Sequence, residues 1–228
     1  MQDAHQKSIQ VSPSCQIPNL MHFYSKYFGN KIGTFVEVGA FDGESFSNTS
    51  VLADLGWKGF YIEPVYEFAV RCQLRHKNNQ NISVSNIAIS DQIEIIEIAV
   101  GGVLSTASSD TREAYKNIDW AKNLPFDTKK REVQSYPLDY FLKEKNILDP
   151  FELLVIDVEG HEEKVFNGFS LSQWLPKMII VELNDYHPSF NSFPLLQASS
   201  ARVRNLILNS GYMQAYCDEI NSIFVLPN

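Results

Sequence analysis

The chain has 228 residues, 44% of them hydrophobic and 20% charged, with a formal net charge of −8. This is the make-up of one globular α/β domain that buries a continuous core. An acidic balance without a long basic run argues against phosphate-backbone binding, so no nucleic-acid partner is expected. The short cluster Lys129-Lys130-Arg131 reads as a solvated loop. Cys15, Cys72 and Cys217 are scattered and lack metal-ligand spacing, which argues against a disulfide framework and a zinc site. No apolar run reaches the about 18 residues of a membrane span. The opening residues have no apolar signal core, and a cytoplasmic location is expected.

Residues 1–18 are polar and expected to be flexible; 19–228 are read as a single domain without internal repeats. Leu20–Phe28 repeats apolar and aromatic residues at helical spacing. Alternation of strand and helix then begins, with Thr34–Val38 as strand and Phe46–Leu55 as helix closed by Gly56. Gly59–Ile62 is the next strand, Tyr66–Lys77 a helix and Ile82–Ile89 a third strand. Ile93–Val100 alternates acids with apolar residues, and Gly101-Gly102 predicts a hairpin returning through Val103-Leu104. Residues 105–132 are polar and poorly periodic, which predicts a lid or acceptor loop with some helix. Leu138–Lys145 reads as a helix with Pro137 at its first turn. Phe151–Ile156 and Met178–Val181 are continuous apolar runs suited to central parallel strands. Val165–Trp174 links them, Ser199–Asn209 forms a further helix, and Tyr212–Ala215 and Ile223–Leu226 close the sheet. The fold class is therefore α/β: a mostly parallel twisted sheet with helices on both faces and an antiparallel closing strand.

In such a sheet ligands sit beyond the carboxyl ends of the strands. The first strand runs directly into Gly39-Ala40-Phe41-Asp42-Gly43, where glycines let backbone approach a ligand. The spacing is not that of a dinucleotide loop, and Glu37 and Asp42 would repel a pyrophosphate. Their charge favours S-adenosylmethionine, which carries a sulfonium and an ammonium, over a nicotinamide dinucleotide. Glu63, one βαβ step later, is placed to accept hydrogen bonds from ribose hydroxyls. Asn86-Ile87-Ala88 at the end of the third strand offer polar and small groups to an adenine edge.

Four blocks, VEVGAFDGESFSNT (36–49), GWKGFYIEP (56–64), SNIAISD (85–91) and LLVIDVEGHEEKVFNGF (153–169), are followed by IIVEL (179–183). In this order they resemble the FkbM-type methyltransferases. The resemblance implies a Rossmann-like class I methyltransferase fold, S-adenosylmethionine as donor, and a hydroxyl acceptor on a sugar, glycan or small natural product. It implies donor contacts from Gly39, Asp42, Gly43 and Glu63, with Asp157 at the mouth of the site. The opening segment departs from the S-Q-x-G-E-D-like run common in the family, and 105–132 match nothing in it. With the readings above, the candidate cofactor contacts are Glu37, Ala40 and Phe41 beside those four, then Pro64, Asn86, Ala88 and Asp157.

Methyl transfer to oxygen is an in-line displacement that needs alignment and removal of the hydroxyl proton. Asp157, Glu159, His161 and Glu162 crowd the end of the fourth strand. Asp157, Glu159 and His161 are the candidate catalytic residues, and Glu162 is expected to serve the start of the following helix. Asp157 with Glu182 and Asp185 would also suit Mg²⁺ or Ca²⁺, a cation-dependent alternative that is not favoured. A catalytically silent nucleoside-binding module and a nicotinamide-dependent oxidoreductase are the rival readings. The expected partner is a small-molecule or glycan acceptor, and a homodimer is compatible with the sequence.

Overall fold

The computed structural model describes residues 15–227. Helix α1 (Leu20–Phe28) leads into strand β1 (Thr34–Val38), helix α2 (Ser50–Asp54), strand β2 (Lys58–Ile62), helix α3 (Tyr66–Arg75) and strand β3 (Ile82–Ser85). Strands β4 (Ala88–Ile89) and β5 (Glu94–Ala99), helix α4 (Ser109–Asn117) and strand β6 (Lys130–Tyr136) form an inserted unit, followed by helix α5 (Leu138–Glu144). The second half contains strand β7 (Leu153–Ile156), helices α6 (Glu162–Asn167) and α7 (Leu171–Trp174) and strand β8 (Met178–Glu182). Helix α8 (Pro194–Asn209) and strands β9 (Met213–Cys217) and β10 (Asn221–Val225) complete it.

The main sheet has seven strands in the order β3-β2-β1-β7-β8-β10-β9. The first five in that order run parallel, and β10 lies antiparallel to both β8 and β9. Because side chains alternate across a strand, its two faces feed separate cores. Val36, Val38, Ile62, Leu154, Ile156 and Val181 pack with α5 to α8. Phe35, Tyr61, Leu153, Val155, Met178 and Ile180 pack with α1, α2 and Cys72 of α3. That burial on both faces is why β7 and β8 read as unbroken apolar runs.

Strand order reverses between β1 and β7, which opens a crevice at their carboxyl ends. Gly39 sits there at φ +90°, where a side chain would run into the Asp157 carbonyl oxygen. Gly39→Ala is expected to destabilise the fold by about 3 kcal/mol or more, combining backbone strain with steric conflict. A melting temperature lowered by roughly 6–12 °C is the readout; an unchanged one would refute this account of the turn.

Several elements differ from expectation. Helix α2 starts at Ser50 because Phe46 has φ +60° and the Ser47 hydroxyl accepts from the N–H groups of Thr49 and Ser50. Helix α8 instead starts earlier, at Pro194, where a proline fits the first turn. The run Ile82–Ile89 is split at Asn86, whose amide donates to the carbonyls of Glu63 and Pro64 at 2.9 and 2.8 Å. Its last two residues join a second sheet, β4-β6-β5. The Gly101-Gly102 turn does bring Ala99 against Thr106, but as one isolated bridge. Residues Gly102–Leu104 form a 3₁₀ turn, and β5 pairs along its length with the distant β6. Lys130 and Arg131 therefore lie on a strand rather than in a loop, paired with Glu97 and Glu67. Of the segment expected to be flexible, residues 1–14 lie outside the described residues, whereas Ile17 is buried in the core. Among the described residues no helix is long and apolar enough to cross a membrane.

Candidate active site

A cavity of about 1000 Å³, counting its open mouth, lies over the carboxyl ends of β1, β2 and β7. Its floor is the loop Gly39-Ala40-Phe41. One end holds Glu63, Pro64, Phe68 and Ala88; the other holds Glu37, Asp157, Glu159 and Glu182. Ile96 and Ile98 of β5 and the turn Gly102–Ser105 form the roof. No lysine or arginine is among the lining residues described.

The sequence builds each acid into this crevice differently. Glu37 points from β1 into a hydroxyl nest: Thr49 Oγ1 donates to it closely and Ser47 Oγ donates at 3.2 Å. Burial raises its pKa to about 7, against the lowering effect of those hydroxyls. Glu63 receives the N–H of Phe41 on one oxygen and of Val65 on the other, both at 2.8 Å. Burial lifts it to about 8 despite these bonds. Its carboxyl group thereby ties the Gly39–Phe41 loop to the end of β2, each oxygen keeping a further lone pair.

At the other end Asp157 and Glu182 face one another, both raised by burial. Two carboxylates in hydrogen-bond contact share a proton rather than both ionising. Glu159 has φ +54°; it receives the Tyr115 hydroxyl in a close contact, and its carbonyl accepts from Thr106 Oγ1 at 2.7 Å. Burial, then the charge of Asp157, raises its pKa. Glu162 accepts from Val158 and Gly160 N–H groups at 3.2 and 3.1 Å, so it caps the turn ahead of α6, as expected.

Other candidates fall elsewhere. Asp42 closes its own turn, accepting from the N–H groups of Glu44 and Ser45 and from the Ser45 hydroxyl at 3.0, 2.7 and 2.8 Å; it does not line the cavity. Gly43 is not a lining residue either: a Cβ there would come within 2.6 Å of Cys72 Sγ, so its role is packing on α3. Asn86 is spent on the two carbonyls named above, leaving Ile87 and Ala88 to line the cavity. His161 lines the cavity beside Ser90 Oγ at 3.1 Å, but burial lowers its pKa to about 4. It is a neutral, weak base, unlike an imidazole in water. Asp185 is held by Arg204 at 2.6 and 2.7 Å in a buried two-pronged ion pair, which removes it from the postulated metal set. Glu159 takes its place: Asp157, Glu159 and Glu182 each offer an oxygen, all within 4.8 Å of one another.

Sequence reasoning missed Phe68, whose ring lies 4.5 Å from that of Phe41. It also missed Gln16 and the roof residues Ile96 and Ile98. Only the roof left a signal, in the alternation of isoleucine with acid along β5.

The proton affinities have a consequence for stability. Glu37 and Glu63 hold protons more tightly in the fold, at about 7 and about 8, than as free carboxylates. The unfolded chain releases those protons first, so stability falls as pH rises from about 4.5 through about 8. Thermal unfolding of the unliganded protein is expected to drop by a few degrees across that window. A profile that rises over it would refute the assignment.

A family model for the methyltransferase FkbM domain matches residues 37–213. The chain belongs to the FkbM methyltransferase family. No curated protein sequence matches the chain. Among solved structures, a methyltransferase FkbM from Methylobacillus flagellatus aligns over 85% of this chain at 17% identity and TM-score 0.51. This chain spans only 43% of that protein's length. An O-methyltransferase from Bacillus cereus in complex with SAH aligns over 96% of this chain and 83% of its own, at 14% identity and TM-score 0.51. A putative O-methyltransferase from Klebsiella pneumoniae aligns over 93% and 81%, at 10% identity and TM-score 0.52. These likenesses establish the fold of this FkbM domain: Rossmann-like class I, with its mostly parallel sheet and antiparallel β10.

Proposed function

We propose that the chain is an S-adenosylmethionine-dependent O-methyltransferase acting on a hydroxyl of a sugar, glycan or small natural product. The observation that carries this reading is one continuous cavity with a ribose-type acid, Glu63, at one end and buried carboxylates of raised proton affinity at the other. S-adenosylmethionine supplies an electrophilic methyl group on a sulfonium. Glu63 accepts the ribose hydroxyls, Phe68, Ile87 and Ala88 receive the adenine, and Glu37 faces the ammonium. An acid-lined cavity suits a donor of net positive charge. Asp157, sharing a proton with Glu182, takes the acceptor's hydroxyl proton as the carbon–oxygen bond forms. Glu159, fixed by Tyr115, orients the acceptor. His161, neutral and hydrogen-bonded toward Ser90, shapes the wall.

Calorimetric titration with S-adenosylhomocysteine, followed by transfer of labelled methyl to a panel of polyhydroxylated acceptors, tests this. No binding of the donor product would sink it.

A second reading is favoured by one observation, the three oxygens of Asp157, Glu159 and Glu182 within 4.8 Å. A divalent cation held there would lower the acceptor hydroxyl's pKa. Under that reading a chelator abolishes activity and Mg²⁺ or Ca²⁺ restores it; full activity in chelator rules it out.

A further inference from the structure

The donor's amino-acid end carries a carboxylate as well as an ammonium, and an acid-lined cavity without lysine or arginine among its described lining residues must satisfy that carboxylate with neutral donors. Most N–H and O–H groups at this end are already engaged. Gly39 and Ala40 both donate to the Ile62 carbonyl, at 2.9 and 3.1 Å, and Phe41 donates to Glu63. The Ser45 hydroxyl donates to Asp42 and the Ser47 hydroxyl to Glu37. Val158 and Gly160 donate to Glu162.

Gln16 is a lining side chain with an uncommitted amide donor. Its Oε1 accepts from Asn221 Nδ2 at 3.4 Å, which leaves the two N–H bonds of Nε2 available to a ligand in the cavity that Gln16 lines. Its neighbours fix where it stands. Asn221 is the strand partner of Glu182, so Gln16 lies toward the carboxylate end rather than the Glu63 end. On the preceding residue, Cys15 Sγ reaches Asn48 Oδ1 at 3.6 Å, next to the Ser47 and Thr49 that hold Glu37. Ile17 is anchored in the core at 2% exposure. Residues 15–17 are thus held between Asn48 on one side and Asn221 on the other.

We infer that Gln16 Nε2 is the hydrogen-bond donor for the α-carboxylate of S-adenosylmethionine, positioned by Asn221. This rests on the donor reading above. It gives the chain's opening segment a binding role and makes the donor site a composite of β1, β10 and residues ahead of α1.

The test is calorimetric titration of wild type, Gln16→Ala and Gln16→Glu with two ligands: S-adenosylhomocysteine, which has the carboxylate, and methylthioadenosine, which lacks the amino acid. Gln16 is exposed, so the variants are expected to fold, and their methylthioadenosine affinity serves as the internal check. The expected result is about a tenfold loss of S-adenosylhomocysteine affinity for Gln16→Ala, the effect of one hydrogen bond to a charged group. Gln16→Glu is expected to lose more, about a hundredfold, because like charges meet. Methylthioadenosine should bind all three proteins alike. Wild type binding S-adenosylhomocysteine with Gln16→Ala within twofold of it, or equal losses for both ligands, would overturn this inference and leave the donor reading standing. Wild type binding neither ligand would overturn both.

Discussion

Replacing Asp157 by asparagine is expected to lower the methyl-transfer rate about a thousandfold, in the range of a lost general base, while S-adenosylhomocysteine affinity stays within a few fold. Asparagine keeps the size and the oxygen but cannot take a proton. It also ends the proton sharing with Glu182, whose carboxyl stays raised by burial and by Glu159 but loses the smaller contribution of Asp157. The rate is best read in single turnover across pH, because a base raised by burial leaves a limb in the wild-type profile above the ordinary carboxylate range that the variant lacks. Activity within tenfold of wild type would move the base to Glu159. Under the cation reading, the residual rate of the variant would climb with added Mg²⁺, and chelator would suppress wild type as strongly as the mutation does.

Glu63→Ala is expected to weaken S-adenosylhomocysteine binding about a hundredfold. Two hydrogen bonds from ribose to a carboxylate contribute about 1.5–3 kcal/mol each, and non-additivity brings the combined loss below their sum. The same change strips the N–H groups of Phe41 and Val65 of their acceptor, so the loop itself loosens. Glu63→Gln separates the two effects. It retains one acceptor oxygen and the side-chain volume, and about a tenfold loss is expected, with a smaller fall in melting temperature than for alanine. If the alanine variant binds as tightly as wild type, Glu63 braces the loop without touching the ligand.

The parts of this architecture that rest on local pattern were legible in the residues. Apolar runs such as Leu153–Ile156 announce strands buried on both faces, and an acid directly after an apolar strand, as at Glu63 and Asp157, sits at a carboxyl edge by construction. What failed depends on contacts distant in sequence. Residues Glu94–Ala99 alternate as a strand should, but nothing nearby says that their partner is Lys130–Tyr136 rather than the chain beyond a Gly-Gly turn. Asp185 stands three residues after Glu182 and looks available until Arg204 on α8 claims both its oxygens. Asp42 spends its oxygens on its own turn, and Asn86 is consumed by two carbonyls. His161 has an ordinary imidazole's proton affinity only in water; here burial removes it. Gln16 is a single polar residue in a polar stretch, and only the fold brings it to Asn221.

The second sheet has an architectural consequence. It leaves the main fold just after β3 and returns just before α5, so both of its ends are tied to fixed points while its strands lie over the cavity and against α3. Such a tethered cassette is free to change length and side chains without disturbing the pairing of β1, β2 and β7. Apart from Ala88, the residues placed on the donor lie outside this cassette, whereas the cavity roof is carried on it. Exchanging residues 94–136 between two relatives should then shift acceptor preference while leaving donor affinity where it was.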